Sequence, residues 1–94
     1  MNYRITGIDY MSLLKTGTVE DMKKITNPNQ VGMVLDNNNH VISYTTPMAI
    51  VIENNPKIYQ DHIDILIKNG GNVDKTINYN GVMMSIKDIM IKYR

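Results

Sequence analysis

The stretch TPMAIVIENNPKIYQDHIDILIKNGGNVD, Thr46 to Asp74, decides how the chain is read. Thr46-Pro47 has the form of a helix start. A hydroxyl at the N-cap accepts from an N–H inside the first turn, and proline at the first helical position gives up only an N–H that has no partner within the helix. The apolar run that follows carries this helix to Glu53 or Asn54. Asn55-Pro56 repeats the cap-then-proline device, and Ile58, Tyr59, His62, Ile63, Leu66 and Ile67 fall at i, i+1, i+4, i+5, i+8 and i+9. That spacing predicts a second, amphipathic helix over Pro56 to Asn69. Gly70-Gly71 stops it, because a residue without Cβ takes the left-handed C-terminal position at no steric cost.

Working outward, a shorter version of the same unit precedes this one. Tyr10, Leu13 and Leu14 predict a helix over Asp9–Lys15 capped by Asp9, and Gly17 breaks it. Thr18 with Asp21 three residues on forms a weak capping box, and Val19, Met22 and Ile25 continue as a second short helix up to Asn27-Pro28-Asn29. Between the two units, β-prone residues flank the Asx-rich turn Asp36-Asn37-Asn38-Asn39, so residues 31–44 read as a β-hairpin. Asn78-Tyr79-Asn80-Gly81 predicts another tight turn, and Met84 to Tyr93 a last helix with Ile86, Ile89, Met90 and Tyr93 on one face.

Helix, helix, outward finger thus recurs at a period near 35–40 residues. The second copy resembles the ankyrin repeat. Thr46-Pro47-Met48-Ala49-Ile50 is similar to that family's Thr-Pro-Leu-His-x-Ala opening, with Met48 for leucine and Ala49 for histidine. His62 to Asp74 is similar to its Ile-Val-x-Leu-Leu-Leu-x-x-Gly-Ala-x-Val-Asn close. The segment Asn54–Gln60 is about three residues longer than the family's inter-helix turn. The resemblance implies a mainly α fold, a short ankyrin-like stack of helix-turn-helix units with projecting β-hairpin fingers. Residues 1–30 would be an N-terminal capping repeat, 31–45 an extended hairpin, 46–74 the full repeat and 75–94 a C-terminal half repeat.

Composition narrows the function classes. The 94 residues allow one small domain, because a chain this short cannot bury two independent cores. Ten basic side chains face nine acidic ones with no run of either sign, which argues against a phosphate-neutralising surface and so against nucleic acid. The longest apolar stretch, Val41 to Ile52, is interrupted by Ser43, Thr45, Thr46 and Pro47, and no signal-like segment opens the chain; the expectation is a soluble, cytoplasmic protein that does not enter membranes. With no cysteine there is no thiolate ligand or cysteine nucleophile, and His40 and His62 share no ligand spacing, so neither metal nor cofactor is expected. Ser12, Ser43 and Ser85 lack a Gly-x-Ser-x-Gly elbow, and Gly70-Gly71 follows a helix where a phosphate loop precedes one; an enzyme acting on a small molecule is not expected. His62 reads as a polar-tipped residue at the inner edge of its helix. Asn, Lys, Ile, Tyr and Met together make about half the chain, the signature of an AT-rich genome.

The resulting expectation is a non-catalytic protein–protein interaction module. Its contact zone would comprise Leu35, Asp36, Asn38, His40, Ile42 and Tyr44 of the long hairpin, Met48 and Val51 of the first full helix, and Tyr79 of the second finger. The resemblance and the AT-rich composition together suggest a viral or host-associated factor, acting in the host cytoplasm if viral. A second reading is a structural or regulatory homo-oligomer, because repeat stacks of fewer than about three units bury little apolar surface alone, and a third, against which the charge balance speaks, is a nucleic-acid binder working through Lys23, Lys24, Lys57 and Lys68.

Overall fold

The computed structural model describes residues 3–94; residues 1 and 2 of the expected capping repeat lie outside the described residues. In chain order the elements are β1 (Arg4–Thr6), α1 (Met11–Thr16), a 3-10 turn (Glu20–Lys24), β2 (Gly32–Leu35), β3 (Val41–Thr45), α2 (Pro47–Asn54), α3 (Gln60–Lys68), β4 (Thr76–Tyr79), β5 (Val82–Ser85) and α4 (Ile86–Lys92). The local signals act where they were read. Ala49 N–H donates to Thr46 Oγ1 at 3.2 Å at the start of α2. Thr18 and Asp21 exchange reciprocal bonds, Thr18 N–H to Asp21 Oδ2 at 2.9 Å and Asp21 N–H to Thr18 Oγ1 at 3.2 Å. After α3, Gly70 adopts a φ of +101° while Gly70 N–H bonds Ile67 O and Gly71 N–H bonds Leu66 O, each at 2.9 Å; this double closure is the Schellman motif.

The mainly helical, ankyrin-like stack expected from sequence is not what forms. The chain is a small α/β domain with 38% of its residues in helices and 22% in strands, and the strands make two antiparallel sheets. Three features account for the difference. First, residues 4–6 join the long hairpin as a third strand in the order β1-β2-β3, pairing Ile5 with Val34 and Thr6 with Met33. Three residues are too few to declare a period, and only the partner strand makes them β. Second, the leading helical unit shrinks: α1 has six residues, with Tyr10 at a φ of +60° as its N-cap in place of Asp9, and the following helix is a five-residue 3-10 turn. Gly17 and Asn27-Pro28 leave too little chain between them for a full second helix. Third, the tight turn at Asn80-Gly81, with φ of 53° and 88°, closes a hairpin whose second strand takes Val82–Ser85. The last helix therefore begins at Ile86, under a capping box in which Ser85 Oγ accepts from Asp88 N–H and Asp88 Oδ2 from Ser85 N–H.

The second long helix also starts later than Pro56. Ile58 N–H turns back onto Asn55 O at 3.1 Å, Lys57 takes a φ of +76° and Ile58 points to solvent at 69% exposure. The gain comes from Tyr59: its ring is buried and its hydroxyl donates to Met90 O at 3.0 Å, which ties the turn to α4. Packing outweighs the cap-then-proline signal there.

One core joins these parts. Buried Leu14, Met22, Met48, Ile52, Ile63, Leu66 and Ile89 belong to a single hydrophobic cluster, with α2 in contact with α1, α3 and α4. Asn69 Nδ2 donates to Met22 O at 3.2 Å and Ile25 O at 3.0 Å, fastening the end of α3 to the 3-10 turn. The two hairpins meet where Asn80 N–H donates to Ser43 Oγ at 2.9 Å.

Candidate functional site, a groove between the hairpins and α2

A groove of about 340 Å³ opens between the first sheet, α2 and the second hairpin. Its sheet wall is one register row: Ile5 pairs with Val34 and Val34 with Ser43, and all three line the groove. Tyr44 and Thr45 extend that wall, Ile50, Glu53 and Asn54 of α2 form the opposite one, Tyr79 and Asn80 close one end, and Lys15 of α1 also borders it. The surface is mixed, with aliphatic side chains beside hydroxyl, amide and carboxylate groups.

Glu53 is its electrostatic centre. It is the only ionisable residue in α2 and occupies the last turn of that helix. Burial pushes its carboxyl above the usual value, against the opposing pull of the Tyr79 hydroxyl and the Lys92 charge. Among the described residues no cation lies within 4 Å of its carboxylate. Behind it, the Tyr79 hydroxyl lies 3.3 Å from that of Tyr93, and Lys92 Nζ sits 5.5 Å from the centre of the Tyr79 ring. Burial first, then the bond to Tyr93 and the nearby Glu53 charge, hold the Tyr79 phenol protonated far beyond its ordinary range. Tyr79 is therefore a neutral hydrogen-bonding wall.

The structure sorts the expected contact residues into three groups. Ile42, 40% exposed, and half-buried Tyr44 line the groove. Asp36, Asn38 and His40 lie at the turn of the first hairpin: Asp36 Oδ1 accepts from Asn38 N–H at 2.8 Å and His40 N–H at 3.0 Å, while Asn38 and His40 are exposed. Leu35, Met48 and Val51 lie inside, Met48 at 1% and Val51 at 0% exposure, so the inner helix surface expected around them is core and presents nothing to a partner. Tyr79 lines the groove although it is only 4% exposed.

The sequence does not single out the other groove residues, Tyr3, Ile5, Lys15, Val34, Ser43, Thr45, Ile50, Glu53, Asn54 and Asn80. One signal for Glu53 was present: a lone carboxylate in the otherwise uncharged segment PMAIVIEN.

Of the two histidines, His40 stands in the exposed turn, and His62 is buried with Nε2 3.2 Å from Gly17 O. Among the described residues no three His, Asp or Glu side chains gather in a metal-binding group, and no helix is long and apolar enough to cross a membrane. Compared with protein-family models, with curated proteins and with solved structures, the chain matches none.

Proposed function

We propose that the chain is a non-catalytic protein-binding module that receives a segment of a partner protein in the groove between the first sheet, α2 and the second hairpin. The observation that carries this reading is the groove itself. Its volume of about 340 Å³ is within the range of ligand sites, and its walls mix aliphatic side chains with hydroxyl, amide and carboxylate groups, which offers a partner both apolar and polar contacts. Exposed Ile42 extends the apolar part toward the hairpin turn. A cytoplasmic site of action, in a host cell if the chain is viral, goes with it.

The test is a randomised peptide library selected on the immobilised full chain, followed by amide shift mapping with a recovered peptide. Shifts at Ile5, Val34, Ser43 and Asn80 are expected. Shifts confined to α3, or no peptide recovered, would remove the groove as the binding site.

Self-association is a second reading, favoured by the terminal hairpin. In the sheet order β4-β5 the outer side of β5 has no strand beside it among the described residues, and Val82 and Met83 are both exposed. Edges of this kind add a strand from a second copy. Sedimentation at micromolar concentration decides it: a monomer dismisses the idea, and a dimer lost on Met83→Lys supports it.

A further inference from the structure

We propose that the partner segment carries an arginine side chain that pairs with Glu53 inside the groove. This rests on the reading of the groove as a protein-binding site and adds the chemistry of what enters it.

Glu53 is a residue the fold gains little from. It is half-buried, so its charge has lost part of its hydration. It stands next to the last residue of α2, where the exposed carbonyls make a carboxylate the wrong sign for the helix dipole. It forms no ion pair within 4 Å among the described residues. Burial, helix position and lack of a counter-charge within pairing distance act in the same direction; the Tyr79 hydroxyl and the more distant Lys92 charge offset them only in part, and a local rule broken in this way is the mark of a site that serves something outside the fold.

The cations near it do not supply the missing partner. Lys92 lies over the Tyr79 ring and Lys15 borders the same groove, yet neither comes within ion-pairing distance of the carboxylate. Tyr79 and Tyr93 face each other through their hydroxyls, 3.3 Å apart, and neither is a cation. An incoming cation therefore finds an acceptor that is partly desolvated and not already neutralised.

Arginine suits the surroundings better than lysine. A guanidinium is planar, carries five donors and pairs with a carboxylate through two parallel bonds, while its face stacks on aromatic rings. The groove offers the Glu53 carboxylate, the Asn54 side-chain carbonyl, whose amide nitrogen is already engaged with Ile50 O at 2.8 Å, and the half-buried Tyr44 ring. Aliphatic Ile5, Val34 and Ile50 in the same groove accommodate the methylene stem.

The experiment starts from the randomised library selected on the full chain. A recovered peptide is synthesised with arginine and with citrulline, which keeps the shape and removes the charge, and both are titrated against the native chain and Glu53→Gln. Expected are recovered sequences sharing an arginine, a loss of tenfold or more in affinity for the citrulline peptide on the native chain, and little difference between the two peptides on Glu53→Gln. The citrulline comparison needs no protein variant, so it stands even if Glu53→Gln folds poorly. Peptides that shift Val34, Ser43 and Asn80 but lack arginine, or bind equally well as citrulline, overturn this inference and leave the groove reading intact. Absence of binding, or shifts away from the groove, overturns both.

Discussion

His62 Nε2 lies 3.2 Å from the carbonyl oxygen of Gly17, so a side chain in the first turn of α3 closes the turn between α1 and the 3-10 segment. A carbonyl only accepts, which makes Nε2 the protonated nitrogen of the ring. Nδ1 is buried with no partner among the described residues. The sequence expectation of a polar-tipped residue at an inner helix edge describes this placement; the acceptor it meets lies forty-five positions away.

Replacing His62 by leucine leaves the Gly17 carbonyl without its donor and is expected to cost about 1–3 kcal/mol. Glutamine, which retains an N–H, loses less. Urea denaturation of the two variants beside the parent checks the order, and equal midpoints for leucine and parent would mean that the bond contributes nothing to stability.

Glu53→Gln is expected to raise the melting temperature at pH 7. The carboxyl of Glu53 is held above its ordinary 4.5 mainly by burial, so the folded state binds its proton more tightly than the unfolded chain does. The stability linked to this group is full below about pH 4.5 and declines as pH rises through the raised value; above it, the buried charge is a standing penalty that glutamine removes. The difference between variant and parent therefore shrinks toward zero as pH falls below the ordinary value. Melting curves at pH 4 and pH 7 make the comparison, and a variant less stable than the parent at pH 7 contradicts it.

Asp21 and Asp36 act in the opposite sense. The backbone N–H of Thr18 holds Asp21, and chiefly that of His40 holds Asp36, below the ordinary 3.8. Their stabilising effect is present above that value and is lost as pH falls through the lowered ones. An Asp36→Asn variant is expected to show a shallower loss of stability below pH 4 than the parent, measured by the same melts.

The adjacent glycines after α3 are predicted to respond differently to alanine. At Gly71 a Cβ would lie 2.6 Å from Met48 Sδ and 2.8 Å from Leu66 O, and Met48 is itself enclosed in the core. Gly71→Ala is expected to cost about 1–3 kcal/mol through this overpacking. Gly70 has open space around it and only its φ of +101° to defend, so Gly70→Ala costs about 1 kcal/mol. A ranking with Gly70→Ala as the more damaging change, in thermal or urea unfolding, would show that backbone strain outweighs contact there.

Thr46→Ala removes the acceptor for Ala49 N–H and is expected to cost about 0.5–2 kcal/mol, with Thr46→Ser recovering most of it. Unfolding midpoints of the three proteins measure the cap directly. An alanine variant as stable as the parent would show that packing of α2 alone holds its start.

The legible parts of this chain are those whose cause lies within a turn of the residue itself. Thr46 caps α2, Gly70 ends α3, Asp36 orders the first hairpin turn and Asn80-Gly81 closes the second. Where a distant partner competes, local reading fails. Asn55-Pro56 has the pattern of a helix start, yet Tyr59 reaching Met90 winds the segment into a turn and moves α3 to Gln60. Met48 and Val51 look available on a helix drawn alone and are enclosed once α1, α3 and α4 pack around α2. The groove is legible only in part: Ile42, Tyr44 and Tyr79 stand out in the sequence as finger residues, whereas Ile5, Val34 and Glu53 meet them only when strands and helix converge.

Capping hydroxyls, prolines and left-handed glycines therefore determined, from sequence alone, where most helices and turns begin and end, since those preferences act between near neighbours along the backbone. Tertiary structure decided that Arg4–Thr6 is a strand, that the fold is α/β, and that a carboxylate near the end of α2 faces a groove. Strand pairing and burial depend on groups brought together from far along the chain, and no short window of sequence contains both partners.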